Sequence, residues 1–203
     1  MYNILKLNEI SPLVNNILTK DYNLTNECDT PDGIILRSFK MHDYPIAKTL
    51  LAVARAGAGV NNIPLDKMTD AGVVVFNTPG ANANAVKELV LTDVAALVEK
   101  GKKAFIGPEI FGKTLGVIGL GAIGRMVANS CIDLGMSVIG YDPYLSEDAA
   151  KTLNANVKVT TDLNEIFKNS DYITVHVPLT DTTKYMINKD SIGLMKDNVR
   201  IIN

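Results

Sequence analysis

The 203 residues include no tryptophan, two cysteines and two histidines. Metal centres built on histidine and cysteine clusters need more ligands than this at closer spacing, so no metal is expected. Cys28 and Cys131 form neither a C-x-x-C nor a disulfide framework, which fits a reducing compartment. Cys131 falls on an apolar helix face and reads as core. No apolar run is long enough to span a bilayer. Lys6, Asn8 and Glu9 interrupt the apolar N-terminus, so no secretory leader is expected there. Neither sign of charge dominates: the net charge is −2, and no basic field points to nucleic acid or to an anionic membrane. The expectation is a soluble cytoplasmic protein. With 47% hydrophobic residues, the chain can build one large or two small cores.

What the chain does have is a glycine pattern in a definite setting. Leu115, Val117 and Ile118 suit a buried strand and run into Gly119-Leu120-Gly121-Ala122-Ile123-Gly124, a G-x-G-x-x-G. Ile123, Val127, Cys131 and Leu134 then recur at helical spacing until Gly135. Ser137–Tyr141 reads as a second strand, ending at Asp142. In such a unit Gly119 allows the tight turn, Gly121 lets a pyrophosphate approach the backbone, and Gly124 lets helix and strand pack closely. The helix N-terminus offers free N–H groups to the phosphates. Asp142 follows Gly124 by 18 residues, near the distance at which an acid meets the adenosine ribose. A carboxylate there repels a 2′-phosphate, so the cofactor reads as NAD rather than NADP. Other users of this loop, such as adenosylmethionine enzymes, share part of the signature.

The first 80 residues alternate strand and helix without a dinucleotide loop. Strands are expected at Tyr2–Leu7, Gly33–Leu36, Leu50–Ala54 and Val73–Phe76, and helices at Pro12–Leu18 and Leu65–Asp70. Arg37 and Arg55 end two of these strands, where open parallel sheets bind ligands. Two guanidinium groups suit a small anionic substrate, although each could equally be a solvated loop residue. Gly57-Ala58-Gly59 could offer N–H groups to a carboxylate, or be an ordinary turn. Asn82–Lys100 is expected as one helix, with Ala85, Leu89, Val90, Val94, Leu97 and Val98 apolar; residues 101–113 connect it to the glycine loop. Later helices are expected at Ser146–Leu153 (with Ser146 as N-cap), Asp162–Phe167 and Asn188–Met195, and strands at Tyr172–Val175 and Val199–Ile202. His176 follows a strand with no acid near it in sequence. It reads as a residue bordering the cofactor rather than as a base. The fold class is therefore α/β, with two Rossmann-like parallel-sheet domains joined by a crossing helix.

Arg55-Ala56-Gly57-Ala58-Gly59-Val60-Asn61-Asn62-Ile63, then Asn77–Leu89, then the glycine loop with Asp142, then His176-Val177-Pro178-Leu179-Thr180 resemble, in this order, the D-2-hydroxyacid dehydrogenases. The likeness is greatest to the members that oxidise phosphoglycerate, and it runs across essentially the whole chain. It implies a substrate-binding domain at 1–81, an interdomain helix at 82–100 and an NAD-binding domain at 101–203 whose C-terminal part is incomplete. It implies that Ala122 and Ile123 hold the pyrophosphate, Asp142 the ribose, and Val177 and Pro178 the adenine side. Ala58 and Gly59 would face the substrate carboxylate and the nicotinamide, Arg37 and Arg55 its anionic groups, and Asn82 the cleft.

The implied reaction is NAD-dependent oxidation of 3-phospho-D-glycerate to 3-phosphohydroxypyruvate, the first step of serine biosynthesis. The alternatives are oxidation of glycerate, lactate or a similar acid, or a non-catalytic NAD-binding regulatory module. The resemblance also implies a homodimer or larger homo-oligomer. Two departures stand out. The family's catalytic Arg, Glu and His are expected beyond Asn203, so the 203 residues alone are expected to be inactive. The helical segment near Val90–Asp93 is shorter than in the family.

Overall fold

The structure is a computed structural model and describes residues 1–96 and 109–203. The expected helical positions Leu97 and Val98, and residues 101–108 of the expected connection, lie outside the described residues. The chain divides into two compact units, Met1–Asn82 and Ala83–Asn203.

In the first unit β1 (Tyr2–Leu7), β2 (Tyr22–Thr25), β3 (Gly33–Leu36), β4 (Ala52–Arg55) and β5 (Val74–Phe76) form one parallel sheet in the order β2-β1-β3-β4-β5. Short helices α1 (Val14–Ile17) and α2 (Leu65–Asp70) accompany it. The core comprises Leu5, Ile34, Leu36, Val53 and Met68, with Met41, Leu50, Ile63 and Val73 supplied by the connections.

The sequence gives no apolar run at β2. It is an edge strand, half-exposed, held by backbone pairing to β1, by an Asn23–Asn3 side-chain bond of 3.0 Å and by the packed rings of Tyr2 and Tyr22. The strand expected at Leu50–Ala54 begins only at Ala52, because the Leu50 N–H is used in a turn to the Ala47 carbonyl. Val73 closes α2 with a bond to the Met68 carbonyl, so β5 starts one residue later. The helix expected at Pro12–Leu18 shortens to one turn with no buried residue.

The second unit opens on α3 (Ala83–Ala96), followed by β6 (Thr114–Ile118), α4 (Ala122–Asp133), β7 (Ser137–Tyr141), α5 (Glu147–Ala150), β8 (Lys158–Thr160), α6 (Leu163–Asn169), β9 (Tyr172–Val175), α7 (Lys189–Gly193) and β10 (Arg200–Ile202). Its strands run parallel in the order β10-β9-β6-β7-β8. Strand alternation sends Leu115 and Val117 to one face, against Val127, Ala128 and Cys131 of α4 and Val90 and Val94 of α3. Ile118, Ile139 and Ile173 meet Ile166 and Phe167 of α6 in a second cluster. Two apolar faces on one parallel sheet make a three-layer α/β unit.

Cys131 is fully buried, and burial pushes its thiol up to about 12, so it stays protonated core. Among the described side chains of α3 the buried ones are Ala83, Val90 and Val94, whereas Leu89, expected as an apolar contact, is 66% exposed. Ala85 is exposed too. Strand β8 is missing from the sequence reading for the same reason as β2: it is a short edge strand with exposed Lys158 and Val159. Ser146 caps α5, accepting from the Ala149 N–H at 3.2 Å, but α5 ends at Ala150. Asp162 and Asn188 sit outside their helices as N-caps rather than within them.

Asp171 ties three strands together. Its carboxylate accepts from the Thr114 N–H at 2.8 Å and from Lys196 at 3.1 Å, and its carbonyl accepts from the Arg200 N–H at 3.1 Å. Burial alone would raise its pKa, but the Thr114 amide and the Lys196 ammonium outweigh burial and hold it below the ordinary aspartate value. A carboxyl depressed on folding stabilises above its unfolded pKa and loses that contribution as pH falls through the folded value. Asp171→Ala, which leaves the Thr114 amide unpaired, is expected to cost about 1–3 kcal/mol at neutral pH. In thermal melts the gap between variant and wild type should narrow below about pH 4. A gap independent of pH would show that the carboxylate charge contributes nothing.

Candidate functional site

The second unit places its glycine loop between β6 and α4. Gly119 has φ +93°, and its N–H continues the strand to the Tyr141 carbonyl at 2.8 Å. A Cβ at Gly119 would lie 2.7 Å from the His176 carbonyl and 2.8 Å from the Val177 side chain, so only glycine lets the loop pass the β9 exit. Gly124 lies in the first turn of α4, where a Cβ would fall on the Gly119 carbonyl oxygen. Gly121 is different. It has ordinary extended geometry (φ −65°, ψ −165°), and nothing stands within 4 Å of where a side chain would begin. Its lack of a side chain keeps open the space in front of the loop.

No side chain caps α4, and the amides of Ala122, Ile123 and Gly124 lie in its first turn, where the helix supplies no acceptor. Open space before a row of free amides at the positive end of a 12-residue helix suits a diphosphate.

The peptide groups of Leu120 are clamped on both sides. Its N–H donates to Asp142 Oδ2 at 2.9 Å, and its carbonyl accepts from Arg125 Nη1 at 2.9 Å. Its side chain is buried over Gly140. Asp142 Oδ1 accepts from the Tyr144 N–H at 2.9 Å. Two main-chain donors thus orient this carboxylate and leave it lone pairs for hydroxyl donors. Arg125 carries no motif signal; only the folded loop shows what it does.

Gly119, Gly121, Asp142, His176, Val177 and Pro178 line one cavity of about 440 Å³, together with Thr180, Thr182, Thr183 and Met186 from the following turn. That turn is rigidified by the Thr183 hydroxyl, which donates to the Pro178 carbonyl and accepts from the Thr180 N–H at 2.8 Å. A cavity of this size, with a helix N-terminus on one side and a fixed carboxylate on another, fits a nucleotide. His176 Nε2 shares a 2.9 Å bond with the buried Thr174 hydroxyl. Burial lowers its pKa, so the ring is neutral at physiological pH. Among the described residues no group of three or more His, Cys, Asp or Glu side chains could hold a metal ion.

The first unit gathers Arg37, Arg55, Ala58 and Gly59 at the loops after β3 and β4. The two arginines differ. Arg55 Nε donates to the Arg37 carbonyl at 2.9 Å and its Nη1 donates to the Gly59 carbonyl, so much of this guanidinium is committed to backbone. Arg37 is exposed, and its side chain has no partner among the described residues. Asn77 Nδ2 donates to the Ala58 carbonyl at 2.7 Å, and the Thr78 hydroxyl accepts from the Gly57 N–H at 2.8 Å. The loop after β5 thereby braces the turn, while the Ala58 and Gly59 amides find no acceptor among the described residues. Asn82 is exposed at the end of this unit. Asn62, Asn77 and Thr78 lie in stretches that carry the resemblance, but the sequence assigns them no role, because each acts through contacts made only on folding.

The open space at Gly121 and the closed space at Gly124 separate binding from folding. Gly121→Val should leave thermal stability within about 1 kcal/mol of wild type yet weaken NADH binding at least about tenfold, read by nucleotide fluorescence titration. Gly124→Val should cost stability outright, at least about 3 kcal/mol. Retained NADH affinity in a folded Gly121→Val variant would remove the loop from the site.

Comparison with known proteins agrees with this geometry. Residues 80–203 match the family described as D-isomer specific 2-hydroxyacid dehydrogenase, NAD binding domain. D-3-phosphoglycerate dehydrogenase of Methanocaldococcus jannaschii is 40% identical over 77% of this chain and 32% of its own length. Hydroxypyruvate reductase of Thermotoga maritima is 42% identical over 77% of this chain and 53% of its own. The chain thus spans between about a third and half of the length of these two relatives. The NAD+-bound 3-phosphoglycerate dehydrogenase of Entamoeba histolytica superposes with a TM-score of 0.80 at 27% identity, over 98% of this chain and 70% of that one. With the loop, the carboxylate and the parallel sheet all in place, the chain belongs to the D-isomer specific 2-hydroxyacid dehydrogenase family and carries its NAD-binding domain.

Proposed function

We propose that the protein oxidises a phosphorylated D-2-hydroxy acid, 3-phospho-D-glycerate, to 3-phosphohydroxypyruvate with NAD, the first step of serine biosynthesis. The observation that carries the substrate reading is the exposed Arg37 guanidinium, which has no partner among the described residues, on a loop that Arg55 ties through backbone carbonyls to the turn bearing the open Ala58 and Gly59 amides. In this reading Met1–Asn82 is the substrate-binding domain, α3 is the interdomain helix, and the protein works in the cytoplasm as a homodimer or larger homo-oligomer.

Bound at the glycine loop, NAD would supply the acceptor for the substrate's C2 hydride. The chain's own residues bind and orient. The amides of Ala122 and Ile123 hold the pyrophosphate at the helix terminus. Asp142, already fixed by the Leu120 and Tyr144 amides, accepts from the ribose hydroxyls and repels a 2′-phosphate. Val177 and Pro178 pack the adenine side. Ala58 and Gly59 donate to the substrate carboxylate and meet the nicotinamide region, Arg37 pairs with the phosphate, and Asn82 borders the substrate. Arg55 serves the same anion mainly by holding the Arg37 and Gly59 carbonyls.

A second reading, reduction of hydroxypyruvate or a similar unphosphorylated acid, is favoured by the 42% identity to the Thermotoga maritima enzyme. The two readings separate on Arg37. Arg37→Ala is expected to weaken binding of 3-phosphoglycerate by at least about tenfold in Kd, corresponding to about 1.4 kcal/mol, and to leave the Kd for D-glycerate nearly unchanged, read by calorimetric titration with NADH present. Equal effects on both acids would favour the second reading. Asp142→Ala is expected to weaken NADH binding and to narrow the preference over NADPH; unchanged affinity for both would refute the ribose assignment.

A further inference from the structure

The backbone of Arg37–Phe39 is held by side chains from distant parts of the first unit. Asn8, just past β1, has φ +78°, a left-handed conformation that Asn tolerates better than most residues. In that conformation its Oδ1 accepts from the N–H of Ser38 at 3.1 Å and of Phe39 at 2.6 Å. From the other side Asn62 Nδ2 donates to the carbonyls of Phe39 at 2.8 Å and Arg37 at 3.3 Å. Arg55 Nε adds a bond to the Arg37 carbonyl. Asn62 is only 8% exposed, and its Oδ1 has no partner among the described residues, a cost accepted at the centre of this arrangement. The Phe39 ring packs edge-on against Tyr44 at 5.6 Å, closing the far end.

Arg37 and Ser38 are exposed, so water could satisfy their peptide groups and rescue of buried backbone does not account for the bonds made to them; only those to half-buried Phe39 also serve that end. What the bonds fix is the direction from which the Arg37 side chain leaves the loop. A free arginine carries about 2 kcal/mol of rotamer entropy. A mobile backbone beneath it would add more to the cost of ordering it on an anion. We propose that Asn8, with Asn62 behind it, is a positioning residue that presents Arg37 to the substrate's phosphate. The proposal rests on the reading of Arg37 given above and adds a specificity element at the end of β1.

Asn8→Gly isolates the side chain, since glycine keeps the left-handed backbone and removes only the acceptor. The full chain is titrated calorimetrically with 3-phosphoglycerate and with D-glycerate, with NADH present, and amide exchange is followed at Ser38 and Phe39. Asn8→Gly is expected to accelerate exchange at both amides. It should weaken 3-phosphoglycerate binding at least about fivefold and leave D-glycerate within about twofold, and it should add nothing in an Arg37→Ala background. Asn8→Asp, which keeps an acceptor oxygen, is expected to retain the exchange protection and serves if Asn8→Gly does not fold. Phosphate discrimination that persists in Asn8→Gly, or an additive loss in the double variant, would overturn the positioning role while leaving the reading of Arg37 intact. If Arg37→Ala itself fails to discriminate between the acids, the underlying reading falls and the positioning role with it.

Discussion

Everything in the nucleotide-binding unit turns on the contact between the start and the end of one loop. Gly124 in α4 rests directly on the carbonyl of Gly119, and no larger residue fits. That contact sets how closely the helix meets the sheet, and so where its N-terminal amides point. The clamp on Leu120 makes the arrangement rigid, because Asp142 from the end of β7 holds its N–H while Arg125 from the helix holds its carbonyl. The carboxylate proposed to read the ribose therefore also fixes the loop proposed to read the pyrophosphate. A site built this way is assembled before its ligand arrives, which lowers the ordering cost of binding.

The first unit solves a related problem by other means. At the loops after β3 and β4 side chains, rather than a helix terminus, hold the turns in place. Arg55 spans the loops after β3 and β4, Asn77 and Thr78 brace the turn after β4, and Asn8 and Asn62 secure the peptide groups around Arg37. In both units the working groups lie at the C-terminal ends of parallel strands, where successive loops converge. At these strand ends the first-turn amides of α4, the Ala58 and Gly59 amides and the Arg37 guanidinium have no internal partner among the described residues. These are the groups available to anions.

How much of this was legible in the sequence follows from the range of each interaction. The glycine loop was readable because its constraint is local and steric, and glycine at 119, 121 and 124 leaves a mark at fixed spacing. Central strands such as Gly33–Leu36 and Ser137–Tyr141 were readable because burial on both faces demands continuous apolar residues. Edge strands β2 and β8 left no such mark; their place is decided by pairing to β1 and β7 rather than by their own composition. On α3, apolar residues occur on more than one face, and only packing distinguishes buried Val90 from exposed Leu89. The roles of Arg125, Asn62 and Asn8 were not legible at all. Asn8 and Asn62 bond backbone between 23 and 31 residues away, and Arg125 bonds a loop carbonyl five residues back, so none leaves a periodic trace.

The central claim is that the free amides of α4's first turn receive the cofactor's pyrophosphate. Its most direct measurement is the backbone amide spectrum of the protein titrated with NADH. The account predicts saturable shifts led by Gly121, Ala122 and Ile123, with Asp142 and Val177 following at the same apparent affinity. Saturable binding that leaves the 121–124 amides unmoved would contradict it.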